Sequence, residues 1–204
     1  MTRCPILIAY FFPLLFAFAA KAEDPAPAAP ETSTTQKLLT PRDDVPGVKN
    51  FAKVSDGLYR GEQPTAEGFA ELKKMGIKTA VNLRSFHSDH SLLAGTGLQY
   101  VHFYCQAWHP EDEDVAKFLK VLKDPNNRPV FVHCQHGADR TGMMVAAYRM
   151  VEQSWSSEDA ARETHNFGFH MIFTEIQEYL KRFNAAAMAK TVDETAAPKI
   201  EVVK

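Results

Sequence analysis

Cysteine is scarce in this sequence, and so are net charge and recognisable metal-binding frames. Three cysteines in 204 residues are too few for a disulfide-stapled scaffold. Neither a Cys-x-x-Cys nor a His-Glu-x-x-His frame is present, so we predict no metal and no cofactor. A formal net charge of -2 gives no overall attraction to nucleic acid. The composition is that of an ordinary globular protein, so the function must come from a local site.

The longest apolar run lies at the amino terminus. Arg3 precedes an apolar stretch over residues 6–20, and Ala20-Lys21-Ala22 has the small-x-small pattern of a cleavage site. Together they predict a signal peptide over residues 1–22. The alternative is an uncleaved membrane anchor, but the run is shorter than the roughly 20 residues that a spanning helix needs. We therefore expect an exported protein, periplasmic or secreted, with no stable membrane insertion after cleavage.

Three segments follow the predicted signal peptide. Residues 23–44 are rich in Pro, Ala and Thr and lack apolar periodicity, which indicates a flexible linker. Residues 45–184 alternate short β-like runs with helical patterns and predict one α/β domain, with a mostly parallel sheet flanked by helices. Residues 185–204 are Ala-rich and then polar, which predicts a disordered tail. The oligomeric state is not indicated.

The segment after a predicted buried strand at 129–132 has the pattern of an oxyanion site. Backbone N–H groups of a loop that enters a helix converge on one point, and the helix dipole adds partial positive charge there. Gly137 permits a tight turn. Five residues separate Cys134 from Arg140, enough to circle one phosphate with the sulfur beneath phosphorus and the guanidinium on two oxygens. The same field favours the thiolate, which is the nucleophilic form.

Residues 133–141 match the signature His-Cys-x-x-Gly-x-x-Arg-Ser/Thr completely. In this segment the chain resembles the cysteine-based protein tyrosine and dual-specificity phosphatase superfamily. Residues 58–64 (LYRGEQP) and 81–84 (VNLR) resemble the front half of its compact bacterial and plant-fungal dual-specificity-like members, so the resemblance covers about residues 47–183. It implies a dual-specificity phosphatase-like fold and a metal-independent reaction, in which Cys134 takes the phosphoryl group and water then releases phosphate.

The resemblance also implies roles for single residues of the signature. Arg140 and the backbone amides of the loop would stabilise the equatorial phosphate oxygens. His133 would orient the loop, and Thr141 would donate a hydrogen bond to the sulfur. The residues expected to contact the substrate are those of the loop itself, namely Gln135, His136, Gly137, Ala138, Asp139 and Arg140.

The general acid is the open point of this interpretation. In the superfamily it is usually an Asp on the loop after the strand that precedes the signature, and here that loop ends in Glu111-Asp112-Glu113-Asp114. Asp139 is an alternative, because an Asp directly before the signature arginine resembles myotubularins and Sac-type lipid phosphatases. The sequence favours Asp139 and leaves Asp112 open. Glu113 and Asp114 are interpreted as a solvated helix start matched to the helix dipole.

The remaining cysteine has two interpretations. Cys105 lies just before the acidic loop, so a reversible disulfide with Cys134 is conceivable in an oxidising compartment. The other interpretation is a buried free cysteine that serves packing alone.

Phosphomonoester hydrolysis is the predicted function, with a phosphorylated protein or a small phosphomonoester as substrate. Gln135, His136 and Ala138 supply no lysine at the variable loop positions. Lysines there accompany a preference for inositol phosphates or phosphoinositides in related enzymes, so such substrates are the alternative. Rhodanese-like sulfur transfer also uses a cysteine loop, but the spacing to the arginine argues against it. A non-catalytic phosphate-binding module is disfavoured because Cys134 and Arg140 are both intact.

Overall fold

The computed structural model describes residues 36–203. The signal peptide predicted over 1–22 lies outside the described residues, as does most of the linker predicted over 23–44. Among residues 36–203, no helix is both long enough and apolar enough to cross a membrane. The elements in chain order are β1 (Ala52–Ser55), β2 (Leu58–Gly61), α1 (Ala66–Lys74), β3 (Thr79–Asn82), α2 (His90–Leu93), β4 (Gln99–His102), α3 (Asp112–Lys123), β5 (Val130–His133), α4 (Asp139–Glu152), α5 (Ser157–His165), α6 (Thr174–Arg182), α7 (Ala185–Glu194) and β6 (Glu201–Val202).

The strands form one sheet in the order β1-β2-β5-β3-β4-β6. The four inner strands run parallel, and β1 and β6 join the edges in antiparallel orientation, so the predicted mostly parallel α/β sheet is confirmed. Gly61 and Asn82 both pair with His133, and Asn82 also pairs with His102. The carboxyl ends of four strands therefore meet at one edge, where ligand sites of such sheets lie.

Helices cover both faces of the sheet, which is why β3 and β5 are buried at every position. Val130 and Val132 face one core cluster, which includes Phe118 of α3 and Met144 of α4. Phe131, between them, faces the second cluster, which includes Phe69 of α1. This alternation follows the period of two of a strand. Each large side chain removed from water in this way contributes about 1.5–3 kcal/mol.

Helix α4 is the central helix of the domain. Its buried residues lie on all sides, as expected for a helix enclosed by protein rather than one with a solvent face. It contacts α3, α5, α6 and α7 as well as the sheet. A loop that runs from β5 into α4 is therefore held between two buried elements, which keeps its backbone in one conformation.

The carboxyl-terminal residues differ from the disordered tail predicted over 185–204. Helix α7 begins where the side chain of Asn184 accepts a hydrogen bond from the Ala187 N–H, and it buries Met188 and Val192 against the core. These two residues are four apart and so share one helix face. Strand β6 then pairs with β4. Alanine favours helix, and one apolar face is enough to dock it.

Order also begins before residue 45, within the predicted linker. The Leu39 backbone N–H donates to the buried carboxylate of Glu163 at 3.0 Å, and Arg42 pairs with Phe51 as an isolated bridge. Residues 39–44 are thus tied to the domain by backbone hydrogen bonds, which composition alone does not indicate.

Candidate active site

The segment from Cys134 to Arg140, called the site loop below, connects β5 to α4 at the carboxyl edge of the sheet. Gly137 has φ +67°, in the left-handed region that glycine tolerates best. A Cβ there would collide with the carbonyl group of Gly61 at the end of β2. The backbone N–H of Gln63 donates to the carbonyl oxygen of Gln135 at 3.2 Å. The loop is therefore packed directly against the chain that leaves β2.

Arg140 braces the loop against the two neighbouring strands. Its Nη1 donates to the carbonyl oxygens of Leu83 at 3.3 Å and Cys105 at 3.4 Å, which follow β3 and β4. Its Nε is buried and has no hydrogen-bond partner among residues 36–203. A buried donor without a protein partner is costly, and an oxyanion would satisfy it. Cys134, at the other end of the loop, is almost fully buried.

His133 forms a buried hydrogen-bonded pair directly before Cys134. Its Nε2 lies 2.9 Å from Oδ2 of Asp89, and its Nδ1 lies 3.1 Å from the carbonyl oxygen of Cys134. Both ring nitrogens therefore face hydrogen-bond acceptors. Asp89 also accepts from Gln63 Nε2 at 2.9 Å, and its N–H donates to the Tyr100 hydroxyl at 3.0 Å. The role of His133 in orienting the loop stays a prediction, and its partner Asp89 is a residue that sequence reasoning missed.

Arg60 is a second residue outside the signature that contacts the site loop. It is fully buried, its Nη2 donates to the Gly137 carbonyl oxygen at 2.7 Å, and its guanidinium carbon lies 3.6 Å from the ring centroid of Phe167. Burial lowers the pKa of Arg60 to about 9, and the negative charges of Glu163 and Cys134 oppose this. Glu163 itself is paired with another arginine. Arg60 therefore places positive charge against the buried, inner side of the loop.

Thr141 is fully buried, and its Oγ1 has no hydrogen-bond partner within the described chain. The hydrogen bond to the sulfur that the resemblance implies is not formed in this structure. That role of Thr141 stays a prediction, to be realised once Cys134 carries a charge or a phosphoryl group.

The two proposed acids occupy different surroundings. Asp139 is buried at the start of α4, and its Oδ1 accepts from the His170 N–H at 2.7 Å. Nδ1 of His170 lies 2.9 Å from its Oδ2. Asp112 is exposed, and its Oδ1 accepts from the Tyr179 hydroxyl of α6 at 2.8 Å. Asp139 is therefore part of the site loop, whereas Asp112 is held by α6.

Asp114 differs from the solvated helix start that the sequence predicts for it. It is half-buried, and burial raises the pKa of its carboxyl group. It lies near the Cys105 thiol, whose own pKa burial raises well above its usual value. Glu113, by contrast, forms an exposed ion pair with Lys117. The structure thus connects Asp114 to the site through Cys105, whose carbonyl group contacts Arg140.

Cys105 and Cys134 are both free and buried. A disulfide between them is not formed in this structure, so the reversible disulfide stays a prediction.

Exposed apolar side chains, called the apolar rim below, lie on the segments next to the site loop. Its members are large side chains exposed on the segments that follow β3 and β4 and that precede α6; they are Phe86, Tyr104, Trp108, Met171 and Ile172. These three segments contact the loop through Leu83, Cys105 and His170. Phe86 and Ile172 are the most exposed, at 83% and 78%. Exposed aromatic and aliphatic groups beside a polar site favour binding of an apolar partner.

Comparison with known proteins shows which family the chain belongs to. Residues 48–178 match the family model described as DSP-PTPase phosphatase fused to NAD+ kinase. The chain is similar to the dual specificity protein phosphatase TpbA of Pseudomonas aeruginosa, with 30% identity over 142 residues, 69% of this chain and 64% of TpbA. It is also similar to inositol diphosphatase DSP2 of Oryza sativa, with 26% identity over 147 residues, 68% of this chain and 72% of that protein. The chain thus spans less than two thirds of TpbA.

Solved structures show the same fold. The crystal structure of P. aeruginosa TpbA superposes with a TM-score of 0.66 at 25% identity, covering 76% of this chain and 96% of that one. The core catalytic domain of the S. cerevisiae phosphatase Siw14 superposes with a TM-score of 0.64 at 21% identity, covering 78% of this chain and 95% of that one. The predicted dual-specificity phosphatase-like fold is confirmed by these superpositions.

Proposed function

Because the chain belongs to the DSP-PTPase family, the dual-specificity phosphatases, we propose that it hydrolyses phosphomonoesters through a phosphocysteine intermediate. One observation carries this proposal. Cys134 and Arg140 lie at the two ends of one loop at the carboxyl edge of the sheet, and the Arg140 Nε is buried without a partner among the described residues. A phosphate held by the loop would satisfy that donor.

The reaction proceeds in two steps. The Cys134 thiolate attacks phosphorus, an S–P bond forms, and the ester oxygen leaves with the electron pair of the broken O–P bond. Water then attacks phosphorus, the S–P bond breaks, and inorganic phosphate and the thiolate are released. The loop amides and Arg140 stabilise the oxygens of both transition states, and neither step uses a metal ion. Arg60 and His133 hold the loop through hydrogen bonds, and Arg60 adds positive charge beside it.

The leaving oxygen needs a proton, and we assign this to Asp139. Two observations support Asp139 as the general acid. It lies within the site loop next to Arg140, and hydrogen bonds with His170 fix the orientation of its side chain. Asp114 is the second candidate, because burial raises the pKa of its carboxyl group and thereby favours the protonated form that an acid needs. Asp112 is the weaker assignment, since its hydrogen bond is to α6.

The proposed substrate is a phosphoprotein of the phosphotyrosine type. The apolar rim supports this choice, because aromatic and aliphatic groups pack well against a phosphotyrosine ring and its neighbouring residues. The variable loop positions Gln135 and Ala138 carry no positive charge, and a substrate with many phosphates would favour cations there. The second candidate is an inositol phosphate or phosphoinositide, which the similarity to an inositol diphosphatase supports.

We also propose that the protein is exported, to the periplasm or beyond. The support is the sequence of residues 1–22, with its positive start, apolar run and cleavage pattern. Fractionation of the cells that make it, with detection of the mature amino terminus, tests this. Full-length protein in the soluble cytosolic fraction would contradict export.

Phosphate release from the purified protein tests the proposed activity. Para-nitrophenyl phosphate, a phosphotyrosine peptide and inositol hexakisphosphate serve as substrates, with EDTA present throughout. We expect release from the first two, lost in Cys134→Ser and kept in the matched control Cys105→Ser. Reduced wild-type protein that releases no phosphate from any substrate would indicate a phosphate-binding module instead. Faster release from the inositol phosphate would assign the second substrate class.

A further inference from the structure

Three metal-ligating side chains meet beside the site loop, and none of the roles above uses them together. His136 belongs to the loop, Asp139 is the first residue of α4, and His170 lies between α5 and α6. One ligand atom from each residue lies within 4.8 Å of the other two. We call these residues the His-Asp-His cluster.

The cluster is already partly assembled by hydrogen bonds. The Asp139 carboxylate accepts from the His170 N–H at 2.7 Å through Oδ1, and Nδ1 of His170 lies 2.9 Å from its Oδ2. The rings of His136 and His170 have centroids 5.5 Å apart. Both histidines are exposed, whereas Asp139 is buried. An ion from solvent can therefore reach the two imidazoles, and the carboxylate lies behind them.

We propose that the His-Asp-His cluster binds a divalent transition-metal ion of the zinc type, and that the bound ion inhibits the phosphatase. Two imidazole nitrogens and one carboxylate oxygen are a typical zinc ligand set, with water in the fourth position. The ligand atoms of such a tetrahedral site lie about 3.3 Å apart. The ion replaces the proton between His170 Nδ1 and Asp139 Oδ2, and rotation of the exposed His136 side chain closes the site.

The surroundings hold these ligands in place. Asp139 Oδ1 keeps its hydrogen bond to the His170 N–H while Oδ2 faces the ion, an outer contact of the kind that orients metal ligands. The side-chain amide of Asn50 donates to the carbonyl oxygens of both His136 and Phe167, each at 2.9 Å. Asn50 therefore ties the site loop to the segment that carries His170. The two histidines are held near each other without a metal.

The ligand types favour zinc over magnesium and calcium. Arg140 and the amino terminus of α4 repel any cation, and the negative charge of the Asp139 carboxylate offsets that repulsion. Magnesium and calcium prefer oxygen ligands, so two imidazoles disfavour them. The sequence predicts no metal because positions 136, 139 and 170 form no familiar ligand frame. Only the fold brings His170 to the loop.

Inhibition follows from the position of the cluster. The ion ties Asp139, which directly precedes Arg140, to His170, so the carboxylate can no longer move or carry a proton. It also fixes His136, two residues after the nucleophile, and adds a charged group at the entrance of the loop. We therefore expect turnover to fall when the ion binds and to recover when a chelator removes it.

Calorimetric titration of Zn²⁺ into the full-length Cys134→Ser protein tests the binding, because this variant lacks the thiolate that would bind zinc by itself. We expect one Zn²⁺ per chain and no binding of Mg²⁺. His136→Ala, His170→Ala and Asp139→Asn in that background weaken zinc binding by at least the roughly 10–100-fold that loss of a mere outer-shell partner of a metal ligand costs. His165→Ala is the matched control, an exposed histidine outside the cluster, and it leaves the affinity unchanged.

Two results would overturn the proposal. One is a Cys134→Ser protein that binds no zinc, and the other is a zinc affinity in the His136→Ala and His170→Ala variants equal to that of the Cys134→Ser parent. His136 is exposed, so its replacement leaves the fold intact and keeps the comparison valid. The titration needs no turnover, so its outcome is independent of the proposed phosphatase activity. In active protein, equal inhibition of wild type and His170→Ala by zinc would assign the inhibition to Cys134 and contradict the cluster.

Discussion

The inner and outer sides of the site loop are built from different kinds of residue. On the inner side, Arg60 and the Asp89–His133 pair are buried, and they hold the loop through hydrogen bonds that water cannot replace. On the outer side, His136, His170 and the apolar rim are exposed. The inner side thus fixes the geometry of the chemistry, and the outer side is free to select a substrate or to bind an ion. Substitutions on the two sides are expected to separate stability and rate from specificity.

The largest effect is expected from Asp89→Asn on the inner side. Replacing the carboxylate with a neutral amide weakens a fully buried hydrogen bond to His133, so the free energy of unfolding falls by about 1.5–3 kcal/mol. Chemical denaturation of the two proteins measures this. The matched control is Glu201→Gln, which removes an exposed partner of His90 and should cost less than about 1 kcal/mol. An equal loss of unfolding free energy in both variants would show that the buried Asp89–His133 pair stabilises the fold no more than the exposed His90–Glu201 pair does.

Arg60→Met separates rate from stability on the same side. The variant loses the bond to the Gly137 carbonyl oxygen and the positive charge against the inner side of the loop, so turnover falls by about 100-fold. Stability changes little, because removing an unpaired buried charge offsets the lost hydrogen bond. Steady-state kinetics and thermal unfolding check both expectations, with Arg42→Met as the exposed control. A folded Arg60→Met protein with wild-type turnover would contradict the account of the inner side.

Asp139 lies at the boundary of the two sides. Its replacement by Asn affects only reactions that need a general acid. Turnover of alkyl phosphates, which have poor leaving groups, falls by about 100-fold, while activated aryl phosphates are little affected. A series of substrates with graded leaving groups measures this. Equal losses across the series would remove Asp139 as the acid. The same series on Asp114→Asn tests the second candidate, and a selective loss there would move the acid to α3.

The smallest effect is expected on the outer side, in Trp108→Ala. Loss of one aromatic contact costs about 1 kcal/mol, so the KM for a phosphotyrosine peptide rises roughly fivefold. The kinetics of para-nitrophenyl phosphate change less, because that substrate has an aromatic ring but lacks the neighbouring peptide residues that would also pack against the rim. An equal change for both substrates would show that Trp108 supports the loop rather than the substrate.

The two sides also differ in how far the sequence predicts them. Cys134, Gly137 and Arg140 lie within one short segment, so their spacing alone indicates the proposed chemistry. The strands before them are short apolar runs that are buried on both faces. These features depend on neighbours along the chain, and the sequence therefore predicts them.

Contacts between residues that lie far apart in the sequence could not be predicted from local patterns. Asp89 meets His133 only because α2 starts beside the carboxyl edge of the sheet, and Arg60 is buried only because Phe167 covers it. Helix α7 has the Ala-rich composition of a tail, and its order comes from the docking of Met188 and Val192. Asp114 has the composition of a solvated helix start, and its raised pKa comes from burial beside Cys105. Each of these four features depends on a contact with a residue far away in the sequence, which local sequence patterns do not indicate.

The central claim is that Cys134 carries the phosphoryl group during turnover. Acid quenching of the wild-type protein within its first turnovers of a phosphotyrosine peptide, followed by peptide mass spectrometry, tests it most directly. We predict the added mass of one phosphoryl group on the peptide that contains Cys134, absent from Cys134→Ser. Phosphate release without such an adduct, or an adduct on another residue that persists in Cys134→Ser, would contradict the account.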